Sequence, residues 1–221
     1  MRLLGRGSRP LWALGVDAGL VYLAVGAAWA VSDRLGFRPL DFAAVIVTLT
    51  AVHFHYAGFM LPIVAGHLLR RSPGAAARVA VVGVVAGVPL LAAGITATQL
   101  GLGPWFETVA AWIVAAAGVL VAGLHLRLAL RAEAPRAARS LWAAAGLALL
   151  AGMLLAALYG SRFLVPAARW LDIAWMQFLH GAANTFGFAL PALLGWYLVL
   201  PRAAASPPAA SASGSTEPPQ R

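Results

Sequence analysis

The feature that most constrains this chain is a series of apolar runs, each long enough to cross a bilayer, with arginine held almost wholly to the breaks between them. A helix needs about 20 apolar residues to span the hydrocarbon. Six stretches reach that length: Leu11–Val31, Phe42–Leu69, Val79–Leu100, Trp105–Leu126, Leu141–Gly160 and Ile173–Leu200. Breakers separate them: Ser32-Asp33-Arg34, Arg70-Arg71-Ser72-Pro73-Gly74, Gly101–Pro104, Arg131–Arg139 and Ser161–Asp172. Only 10% of the residues are charged, where a water-facing surface uses roughly a quarter. The sequence therefore specifies an all-α, polytopic transmembrane bundle of about six helices over residues 11–200. Residues 1–10 form a short N-terminal segment. The tail, 201–221, is rich in Ala, Ser and Pro without aromatics, cannot bury a core, and is expected to be disordered.

The arginines orient the bundle. With six spans, 12 of them fall on one side, and only Arg34, Arg38, Arg162 and Arg169 on the other. The positive-inside rule makes the arginine-rich side cytoplasmic, with both termini there. The net charge of +9 does not point to nucleic acid, because the arginines never form a stripe interleaved with aromatics. Cysteine is absent, which removes disulfides, thiolate metal sites and cysteine nucleophiles. The N-terminus imitates a cleavable signal peptide, but its apolar run is too long and Asp17 interrupts it, so it reads as a first span.

Within the spans one pattern repeats. Gly58-Phe59-Met60-Leu61-Pro62-Ile63-Val64-Ala65-Gly66 and Gly187-Phe188-Ala189-Leu190-Pro191-Ala192-Leu193-Leu194-Gly195 both read G-F-x-L-P-x-x-x-G. Each helix is preceded by Leu-Asp, at Leu40-Asp41 and Leu171-Asp172. Both segments run in the same direction, so a duplication of helices 1–2 as helices 5–6 would be of the parallel kind. The glycines and proline recur every four residues, giving small-residue faces for close helix approach, and each proline invites a kink. These two faces are expected to meet near the centre of the fold.

Ionisable groups inside the hydrocarbon are costly and so mark functional positions. His55 stands three residues before Gly58, and Asn184 three before Gly187; His180 lies one turn from Asn184. At 1.5 Å per residue His55 is about 21 Å from Asp41, and Asn184 about 18 Å from Asp172, which puts both near the midplane. His53 completes the polar set, though on a regular helix it points about 200° away from His55, which favours a structural role. For any of these the bland reading is interhelical glue. Asp41, Glu107 and Asp172 open helices, where a carboxylate suits the positive end of the dipole; their functional reading is an outer vestibule. A metal site would need His55 and His180 with a third ligand such as Asp172 or Glu107, and none is assigned. Bis-histidine haem is disfavoured because small-residue faces bring the helices too close, and no cofactor is expected. Asp17 reads as a paired or snorkelling acid, and His67 and His125 as boundary residues.

The block Ala51-Val52-His53-Phe54-His55-Tyr56-Ala57-Gly58-Phe59, with His180-Gly181 and Asn184-Thr185-Phe186-Gly187-Phe188, resembles the YndJ-like bacterial membrane proteins. The resemblance extends over Leu11 to Leu200. It implies a multi-pass protein of the bacterial cytoplasmic (inner) membrane, sometimes labelled a transporter, and supplies no catalytic residues. Three readings stay open. One is a small transporter rocking around a midplane His/Asn site, with a small solute as ligand. Another is a membrane-embedded enzyme on a lipid or isoprenoid, with His55 and His180 as acid and base. The third is a structural or accessory subunit. The repeat favours the first. The arginine split yields the first prediction: reporters fused at Gly74, Gly103, Pro135 and Pro166 read inside, outside, inside, outside, and external activity at Pro135 would overturn the six-span topology.

Overall fold

The computed structural model of the protein describes residues 9–130 and 133–200. The N-terminal segment up to residue 8 and the tail at 201–221, for which disorder is expected, lie outside the described residues. Six long helices follow one another antiparallel: α1 (Leu11–Arg34), α2 (Ala44–Arg71), α3 (Ala75–Gln99), α4 (Trp105–Ala129), α5 (Arg136–Gly160) and α6 (173–197). No strand occurs among the described residues. Helices α1 to α5 are long and apolar enough to cross a membrane. α6 has continuous helical backbone over a similar length but carries Gln177, His180 and Asn184 along it. Several helices overrun their apolar stretch: α3 begins at Ala75 and α5 at Arg136. The backbone hydrogen-bond ladder does not stop where the side chains turn polar.

Packing runs as a chain of neighbours, α1 on α2 and α3, α3 on α4, α4 on α5, α5 on α6, with α2 also against α3 and α4. α4 is the inner helix. In its most apolar stretch 56% of residues are buried, against 17% for α1. Ala and Gly line its packed faces, while Val109, Trp112, Ile113 and Val119 leave one stripe exposed. Large apolar side chains such as Leu20, Val21, Val82, Leu147, Leu154 and Phe186 are exposed around the bundle. In water these would be a liability; in a bilayer they are the solvated surface. Trp105, Trp170 and Trp175 are exposed at the end that carries the α1–α2, α3–α4 and α5–α6 connections, a placement suited to headgroup depth. We call this the acid-bearing end, and the opposite one the arginine-rich end.

Glycine sets the helix spacing. A Cβ on Gly15 would lie 2.5 Å from the Pro62 carbonyl oxygen, and one on Gly66 2.6 Å from that of Trp12, so α1 and α2 touch backbone to backbone. The glycine faces of α2 and α6 do not meet each other, contrary to the expectation from sequence. Gly58 faces Tyr22 of α1, and Gly187 faces Ala148 of α5. Each face closes its own hairpin, and α2 and α6 touch instead through the segments ahead of their prolines.

Those segments are π-helical: Phe54–Met60 in α2, and Met176–His180 and Ala183–Ala189 in α6. Pro62 and Pro191 cannot donate to a carbonyl one turn earlier, and their rings crowd it. The backbone responds by shifting to wider i→i+5 bonding, a known remedy for a broken ladder. Leu61 N–H donates to Tyr56 O, and Leu190 N–H to Thr185 O, at matching positions. Pro89 inside α3 is handled differently. The carbonyl it deprives, four residues back at Val85, accepts a 2.6 Å hydrogen bond from the Tyr22 hydroxyl.

A pair of glycine substitutions tests this packing. Gly15→Ala must push α1 off the α2 backbone and is expected to cost about 1–3 kcal/mol. Gly123→Ala meets nothing within 4 Å and is expected to be neutral or to gain about 0.5–1 kcal/mol. Thermal unfolding in detergent separates the two.

Candidate functional site

The polar groups of the membrane interior lie on α2 and α6, against α1 and α5 respectively. His55 lies on the α1 side of α2: a Cβ on Gly26 would fall 2.8 Å from its Nδ1, and that nitrogen donates to Ala51 O at 2.8 Å. Asn184 is buried, fits against Gly152 of α5, and its Nδ2 donates to His180 O at 2.8 Å. His180 donates from Nδ1 to Gly152 O at 2.9 Å. A carbonyl can only accept, so Nδ1 carries the proton and Nε2 of the neutral ring presents a lone pair.

His53 directly precedes the π segment of α2, His180 lies one turn ahead of the π segment Ala183–Ala189 of α6, and these two π segments touch. The Nε2 of His53 is buried with no hydrogen-bond partner in the protein, and no bond to another protein group fixes its tautomer. His55 keeps the face of Gly58, as regular helical spacing gives, but that face is turned to α1: Gly58 meets Tyr22, and His55 meets Gly26. Sequence spacing supplies the shared face and not the neighbour it packs on.

An open cleft of about 790 Å³ lies at the acid-bearing end. It is lined by Val45 of α2, Tyr159 of α5, Arg162, Arg169 and Asp172 of the α5–α6 connection, and Gln177 of α6. Gln177 is one turn before His180, and neither His53 nor His180 lines the cleft. Of the three acids assigned to a vestibule, Asp172 is in the cleft and also caps α6, accepting from Trp175 N–H at 2.9 Å. Glu107 is 4% exposed and sits behind it, ion-paired to Arg162 at 2.8 Å. Arg162 is held further by the Tyr159 and Phe163 rings, 3.9 and 4.0 Å from its guanidinium carbon. Asp41 is in a separate turn with φ of 56°, and α2 starts without a side-chain cap. No group of three or more His, Asp or Glu capable of holding a metal occurs among the described residues. Glu107 is committed to Arg162, and Asp172 to its cap.

Two other histidines differ from expectation or refine it. His125 is not at a boundary: it is fully buried on α4, bonded from Nδ1 to Val121 O and edge-on to Phe188. His67 bonds Ile63 O and packs on Trp196. Asp17 is paired with Arg9 at 2.9 Å, both exposed.

The fold and its buried polar centre define the class: a multi-pass helical membrane protein with ionisable groups between broken helices. The YndJ-like protein family matches residues 1–188, and the chain belongs to that family. It is 31% identical over 181 residues to the uncharacterized membrane protein YndJ of Bacillus subtilis (strain 168), a match covering 80% of this chain. The chain spans 31% of that protein's length. No solved structure matches.

The Glu107–Arg162 pair makes a testable tie between α4 and the end of α5. Arg162→Gln leaves a buried carboxylate unpaired and is expected to lower stability by on the order of 3 kcal/mol. Adding Glu107→Gln is expected to restore much of the loss. Melting of the single and double variants in detergent reads the difference; equal melting points would mean that the pair is not coupled.

Proposed function

We propose that this chain is the membrane core of a small proton-coupled transporter in which His53 and His180 exchange a proton near the bilayer midplane. The observation that carries the reading is the buried, unpartnered Nε2 of His53 beside the contact between the π segments of α2 and α6, with His180 one turn ahead of the second. An orphan polar atom in a low-dielectric interior costs on the order of 1–3 kcal/mol. A purely structural site would be cheaper with an apolar residue. His180, with Nδ1 tied to Gly152 O, offers Nε2 as the acceptor; His53, with its tautomer free, can hold the proton on either nitrogen. The cleft reaches Gln177, one turn from His180, and Arg169, Asp172 and Gln177 supply polar groups for a small solute. With the arginine-rich end in the cytoplasm of a bacterial inner membrane, the cleft opens to the outside.

The apolar walls of the cleft, with Val45, Phe163, Leu171 and Ile173, favour a second reading. In it the ligand is lipidic, and His180 Nε2 acts as a base on it.

Purified chain in liposomes with an imposed pH gradient and an entrapped pH dye distinguishes these. Wild type is expected to dissipate the gradient faster than empty liposomes. His53→Gln and His180→Gln keep hydrogen-bonding capacity but cannot titrate, and are expected to slow dissipation at least about tenfold at unchanged abundance and melting point. A double Gln variant with full flux, or wild type no faster than empty liposomes, would sink the proton-exchange reading.

A further inference from the structure

The two hairpins, α1–α2 and α5–α6, agree at several positions, although the π segment Met176–His180 has no counterpart in α2. Gly66 meets the carbonyl of Trp12, and Gly195 the Trp142 ring at 2.8 Å and the Ala138 carbonyl at 3.4 Å; Gly58 meets Cβ of Tyr22, and Gly187 that of Ala148; His55 fills the notch at Gly26, and Asn184 the notch at Gly152. One constant shift of 126 residues relates the first helices (Trp12 to Ala138, Tyr22 to Ala148, Gly26 to Gly152). Another, of 129, relates the second (His55 to Asn184, Gly58 to Gly187, Gly66 to Gly195). The π segments Phe54–Met60 and Ala183–Ala189 obey the same shift at both ends.

So does a hydrogen bond. His55 donates to Ala51 O and Asn184 to His180 O, each from the second residue of its π segment to the carbonyl four residues back. The residue types differ while the bond, the notch and the bulge coincide. Chance similarity between two Ala/Leu/Gly-rich helices would not reproduce three contacts, two bulge boundaries and a side-chain bond at fixed shifts. Where the copies diverge is equally informative. His180 occupies the position of Ala51, and His53 that of Ala182. The frame is shared between the copies, and these two histidines are the differences.

We infer that the two hairpins are duplicates of one unit, and that His55 and Asn184 are its equivalent positioning residues. Each back-bonds to the carbonyl three residues ahead of its π segment, a local bond of the kind that bends a helix. That bond ties the first turn of the bulge to the turn before it, and so holds the π segment beside which His53 and His180 lie. Gly26 and Gly152 are required because a Cβ at either would occupy the space of the bonding side chain. The inference rests on the proposed proton-exchange pair only for the functional consequence; the positioning itself is independent of it.

The test uses the full chain with hydrogen–deuterium exchange over residues 54–61 and 183–190, beside the liposome flux assay and melting temperature. His55→Leu and Asn184→Leu remove the donor at similar bulk. Each is expected to raise exchange about fivefold in its own π segment, leave the other segment unchanged, and cut flux. His55→Asn copies the second hairpin into the first and is expected to retain both protection and flux. Unchanged protection in the Leu variants would overturn the positioning role. So would a His55→Asn variant as disordered as His55→Leu. If the Leu variants lose protection while wild type shows no flux, the positioning inference stands and the proton-exchange reading fails.

Discussion

In the hydrocarbon no water is available to a backbone carbonyl that loses its donor, and Pro62, Pro89 and Pro191 each remove a donor in mid-helix. Much of the interior architecture can be read as the response. At Pro89 the response comes from a neighbour: Tyr22 reaches across from α1 to the Val85 carbonyl. That bond requires α1 to lie close to α3, and Tyr22 in turn packs on Phe54 and Gly58 of α2. At Pro62 and Pro191 the response is internal, a π segment that rearranges the ladder. A wider turn bulges outward and needs room, which the glycines of the facing helix provide. Proline, bulge and notch therefore come as a set, and the set occurs twice.

This dependence explains which parts of the structure were legible in the sequence. Spans and connections could be read because hydrophobic length and Arg/Pro/Gly punctuation are local signals. The repeated G-F-x-L-P-x-x-x-G pattern was equally plain, and so was its consequence that the helices break there. The orientation of the polar groups was not. A regular helix puts His55 on the glycine face and His53 nearly opposite, but which helix that face meets is not a local signal: it meets α1, not α6. The sequence announces that proline will disturb the ladder, but not whether a bulge, a kink or a neighbour's hydroxyl will absorb the disturbance. That choice depends on what packs alongside. Glu107 and Arg162 lie 55 positions apart in sequence and give no local sign of pairing. His125 read as a boundary residue because it is near the end of α4, yet burial there depends on α4 being surrounded, a property of the whole bundle.

The site uses the frame asymmetrically. Two hairpins of like geometry bring equivalent bulges into contact at the centre, where α2 and α6 touch. If both copies carried identical side chains, each polar group would face its own duplicate. Here the first copy contributes His53 and the second His180, from positions that are not equivalent, and their counterparts are alanines. Nδ1 of His180 is tied to a carbonyl, and no bond to another protein group fixes the tautomer of His53. The rings are chemically alike but differ in what their surroundings fix, which is the asymmetry that the proposed proton exchange would use.

The cost of such a centre is borne by its surroundings. Asn184, His55 and His180 each spend a hydrogen bond on a backbone carbonyl, so little of their polarity is left uncompensated. The Nε2 atoms of His53 and, on α4, of His125 are left without a protein partner. The glycines that admit these side chains also bring the helices into backbone contact, and in lipid that close packing replaces the hydrophobic drive that holds a soluble core together. Enlarging any one notch would relieve crowding but loosen the hairpin; filling it would eject the polar group. The small-residue faces are therefore constrained from both directions. That is the physical reason for a polar centre to be built from glycine-notched hairpins, and not from the bulkier leucine and valine packing found toward the arginine-rich end of α2 and α4.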